Sequence, residues 1–406
     1  MRPARRPKPV RAVGTNDVRA DIVIIGGGIA GLWLLDALHQ VGYSAIVLNK
    51  GALGQGQSSA AQGIIHGGTK YTFGLGLESA VSDLAPMPER WRASLAGQQS
   101  PDLRAAPPLA DAMQMWLPPQ LGGRALAAFS RKMMRGRMRE RAPGDRPAVL
   151  PQGRGGSLFD LDETVVDVPK VLAALQALHG GQIRELPEAA ELGLAETSDG
   201  MEVTAGAVKI QAQRVVLTAG AGNEELLRRA GLSRIACQRR PLHQIIIRGM
   251  AQPLYLHCVG KSSKPLATIT SHPDGTGAYY WYIGGLLAEQ GVTQAPETLI
   301  AAAKAELARL LPGADFAPAS WATHRVDRAE PAGGGLRPTS ASASGQGAVI
   351  VGWPAKLALA PVLADKIIAL LDRDAVRPGR CEMDGLAALA AATVARPPWE
   401  AVQQWN

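Results

Sequence analysis

The chain is 406 residues long, 46% apolar and 19% charged, with a formal net charge of +8. That length exceeds what one hydrophobic core supports, so more than one domain is predicted, and the composition excludes wholesale disorder. The basic segments lack the spacing of a recognition module, so no nucleic-acid partner is predicted, and Cys237, Cys258 and Cys381 lie too far apart for a zinc site or a disulfide framework, which fits a reducing cytoplasm.

Residues 1–19 read as a basic flexible tail: it carries Arg5-Arg6, but no apolar stretch of an export signal follows. Residues 21–25 (DIVII) are a β-branched run of the kind that forms a strand buried on both faces, and they feed into Gly26-Gly27-Gly28-Ile29-Ala30-Gly31. In this dinucleotide fingerprint Gly26 permits a tight turn, Gly28 lets the backbone approach a pyrophosphate, and Gly31 lets the helix pack on the strand. The N–H groups at the helix start then hold the phosphates. Leu32, Leu34, Leu35, Leu38 and Val41 give the helix an apolar face, and Gly42 stops it. This strand, turn and helix account for the apolar run 22–38, so no membrane span is predicted. Residues 44–48 form the second strand. An acid usually ends such a strand and bonds the adenosine ribose; here Asn49 stands there, followed by Lys50. A carboxamide can still bond a diol, without charge assistance.

Residues 54–71 (GQGQSSAAQGIIHGGTKY) are rich in small side chains, as in a backbone that passes along a flat ligand or in a flexible loop. Residues 129–141 (FSRKMMRGRMRER) read as a basic amphipathic helix for a membrane surface, or as a solvated helix face interrupted by Gly136. Asp167-Val168-Pro169 opens a helix continuing through Leu172, Leu175 and Leu178. Strands around 189–196 and 201–204 flank the turn Ser198-Asp199-Gly200, and residues 215–220 (VVLTAG) close the meander. Two β-rich runs within 266–285 flank His272-Pro273-Asp274-Gly275. Alternation along the second puts Tyr279 and Trp281 on one face and Tyr280 and Tyr282 on the other. Residues 347–352 form a strand that enters a helix through Trp353-Pro354-Ala355-Lys356-Leu357, and no structure is read from 377–406.

Taken in order, the glycine run 26–31 and SSAAQGIIHGG at 58–68 resemble the D-amino-acid oxidase superfamily of FAD enzymes. His66-Gly67-Gly68-Thr69-Lys70-Tyr71 is similar to the HGG-x-Arg-Tyr stretch of FAD-dependent glycerol-3-phosphate dehydrogenases and of 2-hydroxyglutarate oxidases. The resemblance implies an α/β fold, in which an FAD-binding Rossmann-like domain of the glutathione-reductase type is interleaved with an α+β substrate domain on an antiparallel sheet. After the tail, the FAD-binding parts are then 20–88, 152–221 and 321–376, the substrate parts 89–151 and 222–320, and a C-terminal extension 377–406. Implied cofactor residues are Gly26, Gly28, Gly31, Asn49, Lys50, Ser58, Ser59, His66, Gly67, Gly220, Gly352, Lys356 and Leu357. Lys70 stands where the family has arginine, which turns a bidentate grip on the substrate into a point-charge contact, and Tyr71 follows it.

Flavin oxidation of a C–H bond needs a cation on the substrate's anionic end and a base for its O–H or N–H proton. Lys70, Arg325 and Lys356 are candidate cations, with Arg328 and Arg337 as alternatives because the residues around Arg325 differ from the family's, while Gly335-Leu336-Arg337-Pro338 carries its substrate-arginine context. His243 and His66 are candidate bases, and some relatives attach FAD covalently through histidine. The predicted catalytic set is Lys70, Tyr71, His243 and Arg325. The implied reaction is oxidation of a CH–OH bond in a small anionic 2-hydroxy acid or polyol phosphate by hydride transfer to FAD. Alternatives are oxidation of an amine or amino acid, and flavin binding without turnover. Oxygen or a quinone would accept the electrons, in the cytoplasm or at the inner membrane face.

Overall fold

In the computed structural model the residues described are 17–67, 83–119, 138–153, 155–186, 192–232, 235–260, 264–332 and 340–406. The basic tail, Lys70, Tyr71, Arg337 and most of the basic segment 129–141 lie outside them.

Along the described chain the strands are β1 (Asp17–Ile25), β2 (Ala45–Lys50), β3 (Met113–Leu117), β4 (Met138–Glu140), β5 (Ser157–Leu161), β6 (Ile183–Leu186), β7 (Leu192–Thr197) and β8 (Gly200–Ala205). They continue with β9 (Val208–Leu217), β10 (Cys237–Met250), β11 (Leu256–Val259), β12 (Pro265–Pro273), β13 (Tyr279–Gly284), β14 (Ser320–Pro331), β15 (Ser342–Gln346) and β16 (Val349–Trp353). The α-helices are α1 (Ile29–Gln40), α2 (Met87–Leu95), α3 (Val168–His179), α4 (Asn223–Arg229), α5 (Leu286–Gln290), α6 (Pro296–Leu310), α7 (Ala360–Arg373) and α8 (Pro398–Ala401).

The first sheet runs β15-β16-β9-β1-β2-β6, parallel except at the β15 edge. One edge of β9 is shared. Its first half pairs with the antiparallel hairpin strand β8 and its last residues pair with β16. Alternation in the buried strands divides the core: Ile22, Ile24 and Val47 face α1, α3 and α7, while Val23, Ile25 and Leu48 face the meander. Asp167 caps α3 by accepting from Lys170 N at 3.3 Å, and Gly42 ends α1 at φ +89°.

The second sheet, β14-β10-β13-β12-β11-β3-β5-β4, is antiparallel apart from the β11–β3 pair. Tyr279 and Trp281 pack with Leu299, Ile300 and Leu307 of α6, and Tyr280 and Tyr282 pack on the opposite face with Trp399. The aromatic strand is thus packed on both sides.

Two assignments differ from the sequence reading, and a third gains a structure. Trp91 of α2, assigned to the substrate part 89–151, packs against Trp33 of α1 with ring centroids 4.6 Å apart, in the helical layer of the first sheet. β14, assigned to the FAD-binding part 321–376, is an edge of the second sheet. The extension 377–406 is a strap: its backbone bonds Arg19, Glu185 and Leu53 of the first unit, then Trp399 is buried on the second sheet and Asn406 pairs with Trp321. Among the described residues no helix is long and apolar enough to cross a membrane.

Candidate active site in the cleft between the sheets

The turn after β1 leaves no room for side chains. A Cβ on Gly26, which has φ +117°, would come within 2.6 Å of the Ala219 backbone, and one on Gly31 would lie 2.0 Å from the Gly26 carbonyl oxygen. Neighbouring polar groups brace the loop. Gly27 N donates to Asn49 Oδ1 at 2.7 Å, Ile29 N to Ser58 Oγ at 3.0 Å, and Thr218 Oγ1 to Gly26 O at 3.0 Å. Asn49 therefore serves the loop itself, and its amide donates onward to Gly51 O.

These glycines open onto a cleft of about 1810 Å³ lined by both sheets. That volume exceeds the ordinary range for a small-molecule pocket and accommodates a dinucleotide together with a small substrate. Gly26, Gly28, Asn49, Lys50 and Ser58 line it. So do Gly220, Gly352, Lys356, Leu357, His66 and Arg325. Gly31, Ser59 and Gly67 do not line it, and Ser59 Oγ donates to Gly56 O behind the wall. Among the described residues, cationic side chains in the lining outnumber acidic ones seven to four, which suits an anionic occupant.

The two candidate bases occupy different environments. His243 is 1% exposed and is not in the lining, because its strand neighbours Leu242 and Gln244 take the cleft-facing positions. Its Nδ1 lies 3.0 Å from Gly291 O, and burial lowers its pKa. Arg325, its cross-strand partner, donates to Val292 O and Gln294 O at 2.7 and 2.6 Å. His66 is on the cleft wall, with Nδ1 3.0 Å from Oε2 of the fully buried Glu163. The structure therefore brings His66 to the cofactor loop and places His243 behind the sheet.

Four amides and one acid were not singled out by sequence. Gln62 donates to Thr268 O and Tyr282 O at 2.8 and 3.0 Å, and Gln57 accepts from Ala329 N at 2.8 Å. Gln244 donates to Ala60 O and accepts from the Tyr282 hydroxyl at 2.7 Å, which burial keeps protonated by raising its pKa. These bonds stitch 57–62 to the second sheet. Asn223 accepts from Ala219 N and so fixes the turn at Gly220. The available signal for the first two was polar amides set among Gly, Ala and Ser, where nothing else can satisfy a buried backbone. Glu163 gave none. Beside Lys356, Ala355 adopts φ +59°, a left-handed conformation in a non-glycine residue on the cleft wall.

The family described as DAO, FAD dependent oxidoreductase, matches residues 21–360. The chain belongs to that family. This DAO-family flavoenzyme is 45% identical over 392 residues to a probable FAD-dependent oxidoreductase of Pseudomonas aeruginosa, PA4991, covering 94% of this chain and 97% of the relative. The crystal structure of PA4991 matches with a TM-score of 0.81 at 41% identity, over 95% of this chain and 98% of that one. Glycine oxidase from Geobacillus kaustophilus has a TM-score of 0.65 at 18% identity, covering 92% of this chain and 99% of the other. L-α-glycerophosphate oxidase from Mycoplasma pneumoniae, with FAD bound, has 0.62 at 12%, covering 90% and 98%. At those identities the last two share the fold. FAD is the cofactor, and the residues present fit it: a cradle that any Cβ would fill, at the start of a 12-residue helix, opens on a cleft of dinucleotide size.

Proposed function

We propose that the enzyme oxidises the CH–OH bond of a small anionic substrate, a 2-hydroxy acid or polyol phosphate, with His66 taking the hydroxyl proton. The observation that carries this reading is a histidine on the cofactor-cleft wall with one ring nitrogen held by a buried carboxylate. A hydroxyl proton is weakly acidic and needs an acceptor as the C–H bond breaks. An amine must also lose its ammonium proton, but it can do so before the C–H bond breaks, so it makes a smaller demand on a base at that step. The cationic excess of the lining favours an anionic substrate in either case.

In this reading Gly26 and Gly28, with the start of α1, hold the FAD pyrophosphate, Gly31 lets the helix pack against the loop, and Asn49 and Lys50 flank the adenosine ribose. Ser58, Gly220, Gly352, Lys356 and Leu357 supply the remaining walls, with Ser59 and Gly67 supporting them. Bound FAD supplies the hydride acceptor. Lys70 and Tyr71, from the resemblance to glycerol-3-phosphate dehydrogenases and 2-hydroxyglutarate oxidases, would face the substrate. Arg325, tied to two carbonyls, orients the rim near α6 and adds positive charge there.

Anaerobic mixing of the purified holoenzyme with hydroxy acids, polyol phosphates and amino acids tests the proposal. Bleaching of the flavin by a hydroxy compound, with a carbonyl product and no ammonia, is the expected result. Bleaching by amino acids with ammonia release overturns it, and no bleaching by any of them leaves a flavin-binding protein without turnover. Reoxidation by oxygen against a soluble quinone then separates the two acceptors.

A further inference from the structure

Behind the cleft wall runs a short ladder outside both sheets. Val166 N donates to Gly63 O at 2.9 Å, Ile64 bridges Val165, and Ile65 N donates to Thr164 O at 2.8 Å. Carried one residue further, this register sets His66 opposite Glu163, and there the side chains meet at 3.0 Å. The same Glu163 oxygen lies 3.8 Å from Nε2 of His257 on β11, an ion-pair rather than a hydrogen-bond distance. On its other side, His257 Nδ1 is 2.9 Å from Oγ1 of Thr268, its cross-strand partner on β12. The two imidazole planes are 28° apart with centroids at 6.2 Å. Glu163 and His257 are fully buried, whereas His66 and Thr268 both line the cleft.

We propose that Glu163 is a positioning residue that fixes the ring orientation and tautomer of His66, and that His257, held by Thr268, keeps Glu163 in place. The proposal rests on the reading of His66 as the proton acceptor and deepens it. In this arrangement Glu163 is the accepting carboxylate, which puts the proton on Nδ1 and leaves Nε2 as the basic nitrogen. In the reaction one proton moves from the substrate oxygen to Nε2. The Nδ1–H stays where it is, and the imidazolium charge develops 3.0 Å from a buried carboxylate. The pairing spans the chain's two units: His66 follows the cofactor loop, while Glu163 follows β5 and its carbonyl accepts from Met113 N of β3. The second sheet thereby sets the geometry of the base.

The same three side chains, with ligand atoms within 4.8 Å of one another, also match a two-histidine, one-carboxylate metal set. The holoenzyme labelled with ¹⁵N-histidine separates the two, since the chain has 7 histidines and His66→Gln assigns the signal. The expected result is the Nδ1–H tautomer for His66, with the Nε2–H form emerging in Glu163→Leu. An Nε2–H tautomer in the wild type, or one that ignores the loss of Glu163, overturns the proposal. So does one equivalent of a divalent metal whose removal by chelator shifts the His66 and His257 signals together. Should Glu163→Leu fail to fold, Glu163→Gln keeps the side-chain size. With any substrate that bleaches the flavin, its kcat should then fall about 100-fold with KM unchanged, and a wild-type rate overturns the proposal. The tautomer is read without substrate, so failure of every hydroxy compound to bleach the flavin would sink the CH–OH reading while leaving this result standing.

Discussion

His272 offers a prediction whose size follows from burial. Its ring lies on β12 under the strap, stacked on Trp399 with centroids 3.6 Å apart and planes 18° from parallel. Burial pushes its pKa from 6.5 down to about 3. The sign follows directly. Between those values the unfolded chain binds a proton that the folded chain refuses, so stability is complete above pH 6.5 and is lost as pH falls toward 3. At about 1.4 kcal/mol per pH unit, lowering the pH from 7.0 to 4.5 should cost about 2.5 kcal/mol through this residue alone. His39, His243 and His324 also have pKa values lowered by burial, so the whole protein should weaken in the same direction. The contribution of His272 is isolated by comparing wild type with His272→Phe, which keeps a stacked ring and removes the titration. Denaturant unfolding at pH 7.0 and 4.5 should show the wild type losing about 2.5 kcal/mol more than the variant over that interval. Equal losses would mean that His272 protonates in the folded protein, and that the strap does not seal it.

Gly31→Ala would place a Cβ 2.0 Å from the Gly26 carbonyl oxygen and 2.8 Å from Thr218 Oγ1. The protein should purify with less than about a tenth of its flavin, read from the flavin-to-protein absorbance ratio, because the loop must open to admit the methyl; full retention would contradict the cradle. Trp399→Ala removes the aromatic anchor of the strap and should lower stability by about 3–5 kcal/mol in urea unfolding; an unchanged midpoint would show that the strap contributes nothing to the second sheet. Ala355→Gly relieves a left-handed alanine at φ +59° and should raise the unfolding free energy by about 1 kcal/mol, whereas a loss would mean that Ala355 makes contacts worth more than its strain.

The parts legible in the sequence are those whose physics is local. A β-branched run, three glycines at fixed spacing and an apolar helical face mark β1, the turn and α1, because each pattern lies within a few residues, although the groups that crowd and brace the turn come from Asn49, Ser58, Thr218 and Ala219. The alternation of Tyr279 to Tyr282 was readable for the same reason, although not that the C-terminal strap would cover one of its faces. At Asn49 the sequence shows a carboxamide in place of an acid, but not its bond to Gly27, 22 residues away. The strap itself has no periodicity, since its backbone is satisfied by bridges to Arg19, Arg184 and Leu53 rather than by its own repeat. Arg325 shows the opposite limit: its residue type suited an anion, but its guanidinium is shared with two carbonyls that only the fold brings near.

His66 and Glu163 carry this argument furthest. They are 97 residues apart, and nothing in either local sequence marks them as a pair. Their meeting depends on the register of residues 63–65 against 164–166, and a slip of one residue would turn each side chain to the other face. The glutamines at 57, 62 and 244 hold the surrounding backbone to the second sheet, so they guard that register as well as the wall of the cleft. On the proposed reading, a base with a defined tautomer exists only when both units have assembled. The cofactor cradle, by contrast, is formed mainly within the first unit, by β1 and α1 braced from Asn49 and Thr218, with Ser58 its one brace from the stitched segment. It follows that variants which loosen the seam between the sheets should be able to keep flavin while losing turnover, because the two properties are written into different parts of the fold.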